Sequence, residues 1–573
     1  MKLYHPTTVL GVALLLVALV QVAIGSRFDR EARLVSDRQA EAGFPLDDAW
    51  IHQVYARSLA DEGKLAYNPG AAETGQSSLL WGVLLAPVHR IAEALDVPVP
   101  RATRVFGIAI WVLLALAAAV LVASLPVPGA RFGGACVALL VALDPAIAFA
   151  AVSGMEPLLF ALFAVLTVLG TLRGRPLLLG VAGGLCILSR PEGVMVVGAA
   201  IGAACLHRSK DGAELASPAR VAVRAVMPAV LLTSIWVGFC LTVTGRPFPN
   251  TWYQKAHDLP IGEAVGAGFA LLGGMLASMP FFESYVAYLF LFIGVVALGA
   301  RLPSALSALL ILLPPVFCVA VSATRPMPDP TAFFWERYLT PMLPFLHVIT
   351  AVGFAGAGAV LLDLVRPSTK EDNSEEASAP DESANAESAT PDATEQVVDP
   401  DAKPIEMAPE KAQLLVPDVV LAVALVIVGL VPFTHAPGRI FERITEFGEN
   451  VRDVDAINVA AGVWLAGAGL PAGTLVASQD AGAIRYFGPH EVLDLIGLND
   501  HDLVSRGLRD GTIGPYLEER NPKILCLLDP DPGAAEFAEW GLRRGLKERA
   551  RLGVPAYSLF GEPIPKSIVI LAP

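Results

Sequence analysis

PLDDAWIHQVYARSLADEGKLAYNPGAAETGQSSLLW, residues 45–81, is the stretch on which the reading of the chain turns. It follows the first hydrophobic segment directly, so the adjacent carboxylates Asp47 and Asp48 lie at a membrane surface. His52, Gln53, Tyr55 and Arg57 follow, then Asn68, Pro69, Gly70, Glu73 and Gln76, before the chain turns apolar at Leu79. Two aspartates ahead of a helical pattern predict a helix over Ala49–Leu59, with one of them as its N-cap and favourable to its dipole. The other then projects into a membrane-facing cavity as a candidate general base. The pattern does not say which aspartate does which, and capping alone would also account for Asp48.

The whole chain has 573 residues, 54% of them hydrophobic and 17% charged. Its mean hydropathy is +0.57. That is too apolar for a soluble protein and reads as a polytopic membrane protein. The formal net charge is −14, but Arg366 to Lys411 holds thirteen Asp and Glu against four Lys and Arg, and so supplies nine of those charges. The acidity therefore carries no sign of a nucleic-acid partner.

Five of the six cysteines (Cys136, Cys186, Cys205, Cys240 and Cys318) fall in apolar segments, where Cys behaves as a small hydrophobe. Cys526 stands alone in the polar tail. Neither a disulfide framework nor a zinc site follows from these spacings. No phosphate-binding loop or HExxH motif occurs, and Gly467, Gly469 and Gly473 miss the dinucleotide spacing.

Val9–Gly25 reads as an uncleaved anchor, because many further spans follow; a secretory signal ending at Ala23-Ile24-Gly25 is the alternative. Apolar stretches then run Val105–Leu125, Phe132–Val152, Leu158–Leu172, Leu177–Leu188, Gly193–Leu206, Val221–Val243, Tyr285–Ala300, Ala305–Ala323, Tyr338–Leu364 and Leu414–Phe433. With the anchor that makes eleven spans of roughly twenty residues or somewhat fewer. The positive-inside rule puts Leu172–Arg175, Leu206–Arg224 and Arg366–Lys411 in the cytoplasm. The remaining connectors, and everything after Pro437, then face outward, provided that Ser77–Leu95 and Ala264–Met279 are interfacial or re-entrant.

The expected organisation is thus a polytopic α-helical membrane domain over residues 1–365, with a large first outer loop at 26–103. A disordered acidic cytoplasmic linker at 366–413 follows, too poor in aromatic and apolar residues to fold. A last transmembrane helix at 414–436 leads to a C-terminal extracytoplasmic α/β domain at 437–573. Short apolar runs at Thr474–Ala477, Val492–Ile496 and Ile524–Leu528 predict its strands, and Val451–Ala468 and Ala534–Arg551 its helices.

The outward connectors share polar clusters set among helix breakers: Ser153-Gly154-Met155-Glu156-Pro157, Ser189-Arg190-Pro191-Glu192-Gly193, Pro249-Asn250-Thr251-Trp252-Tyr253-Gln254-Lys255, and Trp335-Glu336-Arg337-Tyr338. Carboxylates, amides and cations thus converge on one face, where buried charge is expensive and marks function. Against that reading, Arg190 and Glu192 can simply pair with each other, and Arg337 can snorkel.

The ordered set DDAWIHQVYAR, NPG, SSLLW, SGMEP, SRPEG, PNTWYQK, ERYLTPMLP, ASQDAGAIRYFG and VLDLIGLND, from Asp47 to Asp500, resembles the GT-C membrane glycosyltransferases. Within them it is most similar to the cell-wall arabinofuranosyltransferases that add terminal residues. The resemblance implies transfer of a sugar, arabinofuranose-like or mannose-like, from a polyprenyl-phosphate donor to a hydroxyl of an extracytoplasmic glycan, lipid or protein, with inversion. It also implies a multi-pass protein of the plasma (inner) membrane, with its active site on the outer face. An aspartate of the first outer loop acts as general base in such enzymes, which maps onto Asp47 or Asp48.

On the same resemblance Lys255, Arg337 and Arg190 would stabilise the departing lipid phosphate. Asn250 and Tyr253 would orient phosphate or sugar. His52, Arg57, Glu156 and Glu192 are acceptor-side or second-tier candidates, with Glu156 a polar anchor for either the acceptor or an arginine, and Asp480, Asp494, Asn499 and Asp500 match the family's tail motifs, although turn and cap chemistry would equally account for those four. No cofactor is required and no metal site is assigned; adjacent carboxylates leave a divalent cation open. The rival readings are a transporter or flippase of lipid-linked sugars, against which stands the lack of an internal repeat, and a non-catalytic scaffold of the same fold.

Overall fold

The computed structural model describes residues 6–207, 218–255, 260–278, 285–324, 337–365, 436–507, 512–531, 533–558 and 564–573. The expected linker and the expected last span, Leu414–Phe433, lie outside the described residues.

Fifteen α-helices among the described residues precede that gap: α1 Pro6–Val35, α2 Asp47–Glu62, α3 Leu79–Ala94, α4 Val99–Ala123, α5 Ala130–Leu143, α6 Pro145–Val152, α7 Pro157–Leu172, α8 Pro176–Ser189, α9 Gly193–Leu206, α10 Pro218–Thr244, α11 Asn250–Lys255, α12 Ile261–Ser278, α13 Tyr285–Arg301, α14 Ser304–Thr324 and α15 Leu343–Val365. Among the described residues five helices are long and apolar enough to cross a membrane, or six if a bent pair counts as one span. That pair is α5 and α6, bent by 62°. Asp144 makes the break by capping α6, accepting from the amides of Ala146 and Ile147. His347 of α15 lies 2.8 Å from its other oxygen and pins the corner. The expected Phe132–Val152 span is therefore two helices. Five shorter apolar helices accompany them among the described residues.

α2 begins two residues earlier than expected, and neither aspartate caps it. Leu46 occupies the cap position without a side-chain bond, while Asp47 and Asp48 stand in the first turn. Both carboxylates are drawn away from the helix end by stronger partners elsewhere. At the other end Gly63, in the left-handed conformation (φ 68°), donates to the carbonyl of Leu59 and stops the helix. α3 starts where Ser78 accepts from the amide of Trp81.

After the gap the helix Ala436–Val454 returns to the bundle. Its Phe447 packs edge-on against Phe28 of α1 and Phe149 of α6, each at 5.4 Å. A five-residue π-helical turn, Asp455–Val459, and the helix Ala460–Gly467 follow. The sheet has strands β1 Leu475–Ser478, β2 Glu491–Asp494, β3 Ile524–Asp529, β4 Lys547–Tyr557 and β5 Ile564–Ala572, in the order β2-β1-β3-β5-β4. β1 pairs parallel with β2 and β3, and β5 pairs antiparallel with β3 and β4.

The period of two sends alternate residues to opposite faces. Val476, Ile524 and Cys526 join the core shared with the helical bundle, and Ala477, Leu525 and Leu527 form a second core with Phe537 and Trp540. The first of these cores is continuous from α1 through the sheet, so the tail is packed onto the bundle. One expectation fails here. The helix beginning at Ala534 stops at Arg543, and Lys547–Arg551 belongs to β4. Gly545, at φ 85°, turns the chain between them, and pairing with Val569–Ala572 outweighs the helical pattern of residues 546–551.

Candidate active site

The polar clusters of the connectors sit where helices break. Gly154, at φ 80°, and Pro157 separate α6 from α7 and leave Glu156 between them. Arg190 is in extended backbone after α8, and Gly193 restarts the chain as α9. Arg337 lies just ahead of α15. Three interruptions thus present charged side chains toward one turn of α2.

Arg337 donates to Asp48 at 2.7 Å, and the Lys255 ammonium is 3.8 Å from the same oxygen. One helical turn on, His52 Nε2 is 3.3 Å from Glu156. The other Glu156 oxygen is 3.6 Å from Arg190, which lies 3.6 Å from Glu192 and also donates to the Arg337 carbonyl at 3.3 Å. Tyr338 joins the two halves: the guanidiniums of Arg190 and Arg337 are 4.6 and 5.2 Å from its ring. Three cations (Lys255, Arg190, Arg337) and three carboxylates (Asp48, Glu156, Glu192) therefore balance. Asp48 and Lys255, each with a side chain 28% exposed, are its accessible members, whereas Arg337 is 4% exposed.

Burial works against charge on Asp48, but Lys255 and Arg337 outweigh it and hold its carboxyl below the usual range. Burial would likewise raise Glu156, yet its hydrogen bond with His52 and the charge of Arg190 bring it down to about 2.

Asp47 points the other way. Its two oxygens accept from the backbone amides of Gly482 and Ala483 at 2.7 and 2.8 Å. Those amides lie just beyond the carboxyl end of β1, beside which the strand order reverses, the place where open α/β sheets bind ligands. Here the start of the chain's own α2 occupies it. Burial and the neighbouring Asp480 push the Asp47 carboxyl up, against the two amide bonds.

The other candidates are brought to this seam rather than to Asp48. Asn250 is buried and donates to Glu73 at 2.9 Å, while the second Glu73 oxygen is 2.8 Å from His501. Glu73 thereby joins the α2–α3 connector, α11 and the tail. Asp480 accepts from Asn458. Asp494 accepts from the amides of Ile496, Gly497 and Asn499 and from the Asn499 side chain. Tyr55 donates to Asn499, and Asp500 caps the helix His501–Ser505 while accepting from Tyr516. Turn and cap chemistry thus accounts for Asp494 and Asp500. Arg57 reaches the Tyr486 carbonyl and ring, and Tyr253 lies under Arg246.

Two contributors are not singled out by the sequence. Tyr338 is marked only by following Arg337. Trp81, whose indole donates to the Gly154 carbonyl and fixes the Glu156 loop, ends the SSLLW motif without any polar signal. Among the described residues no group of three or more His, Cys, Asp and Glu side chains is arranged to hold a metal ion.

Comparison with known proteins agrees with this architecture. ArnT from Cupriavidus metallidurans in the apo state superposes with a TM-score of 0.57 at 13% identity, covering 96% of this chain and 97% of that one. The same protein bound to undecaprenyl phosphate gives 0.54 at 12% identity over the same shares. The archaeal oligosaccharyltransferase AglB from Archaeoglobus fulgidus, in complex with an inhibitory peptide and a dolichol-phosphate, gives 0.52 at 11% identity, covering 90% of this chain and 69% of that one. The fold is that of the GT-C glycosyltransferases: an apolar helical bundle with an α/β tail. Residues 448–560 match a family described as a domain of unknown function (DUF8728). No curated protein matches the sequence.

Proposed function

We propose that the protein is a membrane glycosyltransferase that moves a sugar from a polyprenyl-phosphate donor to a hydroxyl of an extracytoplasmic acceptor. The observation that carries this reading is the Asp48 carboxylate held between Arg337 and Lys255 at the accessible end of a charge-balanced cluster. Undecaprenyl phosphate bound to ArnT and dolichol-phosphate bound to AglB support the donor class.

In the resting site Asp48 is stabilised as a weak base by two cations. An incoming phosphate competes for them, and Lys255, the more exposed cation, is the first it meets. As the phosphate takes over these charges, Asp48 loses the partners that depress its pKa and gains basicity at the moment the donor is seated. The acceptor hydroxyl then attacks the anomeric carbon from the face opposite the phosphate. Its oxygen forms the new C–O bond, its proton passes to Asp48, and the electron pair of the broken anomeric C–O bond stays on the lipid phosphate, which Arg337 and Lys255 stabilise. The anomeric centre inverts.

Glu156 and His52 keep Arg190 and the Glu156 loop in place. Asp47, bound to the tail, holds the first turn of α2 at a fixed depth and so positions Asp48. The cluster and the tail face the extracytoplasmic side in this reading.

The test is transfer by purified protein, using radiolabelled polyprenyl-phosphate sugars and comparing the wild type with Asp48→Asn. Sugar transferred or released by the wild type and lost in the variant is the expected result. A wild type that turns over no donor in a broad panel, with lipid binding unchanged by the substitution, would favour a scaffold or a transporter.

A further inference from the structure

On the reverse face of α2 lies a cavity of about 350 Å3. Trp50 follows Asp48 by two residues and precedes His52 by two, so it projects from the opposite side of the helix. A helix about 10 Å across therefore separates this cavity from the Asp48 cluster. Its walls include Trp50 from α2, and Tyr486 and Phe487 from the tail. These rings pack together with centroids 4.8 Å (Trp50 to Tyr486 and to Phe487) and 5.0 Å (Tyr486 to Phe487) apart. Arg38, Glu41, Glu93 and Asp96 also line the cavity, Arg38 donating to Glu41 at 2.7 Å.

Two buried donors here have no hydrogen-bond partner among the described residues: the indole N–H of Trp50, a residue 1% exposed, and Nε of Arg38. A buried N–H left unpaired is costly, so two of them in the lining of one cavity point to an occupant with acceptor oxygens. The aromatic walls require that the occupant also present apolar faces. Three carboxylates against one guanidinium disfavour an anion, and a cation would leave both N–H donors unpaired. A polyhydroxylated ring with C–H faces, that is a neutral sugar, meets all three conditions, and the volume lies at the small end of ligand pockets, which span about 300–1,000 Å3.

We infer that the cavity formed by Trp50, Tyr486, Phe487 and Arg38 is a carbohydrate subsite that holds a non-reacting residue of a glycan acceptor. This rests on the transferase reading for the word acceptor, but the binding of sugar stands independently of it. Energy from a remote unit of this kind can be spent on orienting the reacting hydroxyl. Because the walls come from both α2 and the tail, the occupant would also tighten the seam next to Asp47.

The experiment is saturation-transfer NMR on the full-length protein in nanodiscs. The probes are neutral arabino-, manno-, galacto- and gluco-oligosaccharides of two to six units. At least one series is expected to bind the wild type. Tyr486→Ala and Phe487→Ala should weaken it tenfold or more, and Trp50→Phe severalfold. Should an alanine variant unfold by thermal shift, Tyr486→Leu and Phe487→Leu keep the apolar bulk and should still lose binding. Sugar binding with this mutational pattern, in a protein that transfers nothing, would uphold the subsite and sink the transferase. Three results would overturn the subsite even if transfer is observed: no oligosaccharide binds, folded variants bind as the wild type does, or native mass spectrometry finds a lipid that the wild type holds and Tyr486→Leu loses.

Discussion

Arg337 donates to the carboxylate of Asp48 at 2.7 Å across 289 residues of chain, from the break before α15 to the first turn of α2. The pair closes the helical bundle over its polar centre, and its two members are unequal: the guanidinium is buried, while the carboxylate is part-exposed. Removing Asp48 therefore leaves a buried charge behind, whereas removing Arg337 leaves one that water and Lys255 can reach. Asp48→Asn is expected to lower kcat by roughly 10²–10⁴-fold, the range of a positioned general base. Arg337→Gln should lower it as well, and the double variant should be no worse than the more damaging single one. Additive losses in that kinetic cycle would show that the two groups do not act as a pair.

Asp47 is expected to behave differently from its neighbour. In Asp47→Asn one amide bond to the tail can survive while the other meets an NH2 group, a cost of about 1–3 kcal/mol. The expected outcome is a lower Tm, with partial activity recovered at low temperature, where Asp48→Asn stays inactive. Gly482→Ala probes the same seam without touching charge. A Cβ there would collide with the Asp47 carbonyl and carboxylate, so it should reproduce the Asp47→Asn phenotype. If Gly482→Ala leaves both Tm and activity untouched, the seam does not position Asp48.

Lys255 lies at the accessible end of the cluster, 3.8 Å from Asp48. Lys255→Ala should raise the KM for the lipid-phosphate donor about tenfold, the equivalent of one screened charge contact of about 1.4 kcal/mol, with little change in the KM for acceptor. Steady-state kinetics in the two substrates separates these terms. A shift confined to the acceptor would place the phosphate elsewhere.

His501 gains Glu73 as a partner on folding, and that hydrogen bond raises its pKa above the usual 6.5. The stabilisation from this pair is fully present below the unfolded value and is lost as pH rises through the folded one. The Tm difference between wild type and His501→Gln should therefore be largest near pH 6 and shrink as pH rises above the folded pKa. The effect is modest because the imidazole is 40% exposed. A difference that stays constant from pH 6 to 9 would mean that the neutral ring does the holding.

The extent of what could be read in the chain follows from how local each signal is. The helices from Val99 to Val365 are legible because apolar runs bounded by Pro and Gly leave little choice of element. The bend at Asp144 was hidden inside the run Phe132–Val152, since a capping aspartate followed by proline is visible only if apolar continuity is distrusted. Lys547–Tyr557 is a strand because its partner, not its own pattern, makes it so, whereas Ile564–Ala572 carries its own signal in the β-branched run Ile568-Val569-Ile570, which the expected strands leave out. Glu156, Arg190, Asp48 and Arg337 were each recognisable as polar residues where the bundle should be apolar, and the structure brings all four together. Asn250 was recognised by the same rule and goes to Glu73 instead.

By itself the sequence determined the apolar bundle, the breaks in it and the charged residues left at those breaks, because burial of apolar surface and the helix-breaking chemistry of Pro and Gly act over a few residues. Only the tertiary structure decided what each charge faces. Asp47 and Asp48 are chemically identical neighbours, yet about 100° of helical rotation sends one to the amides of Gly482 and Ala483 and the other to Arg337. Those partners lie hundreds of residues away, and their arrival depends on how the whole bundle and its tail pack, which no local pattern encodes.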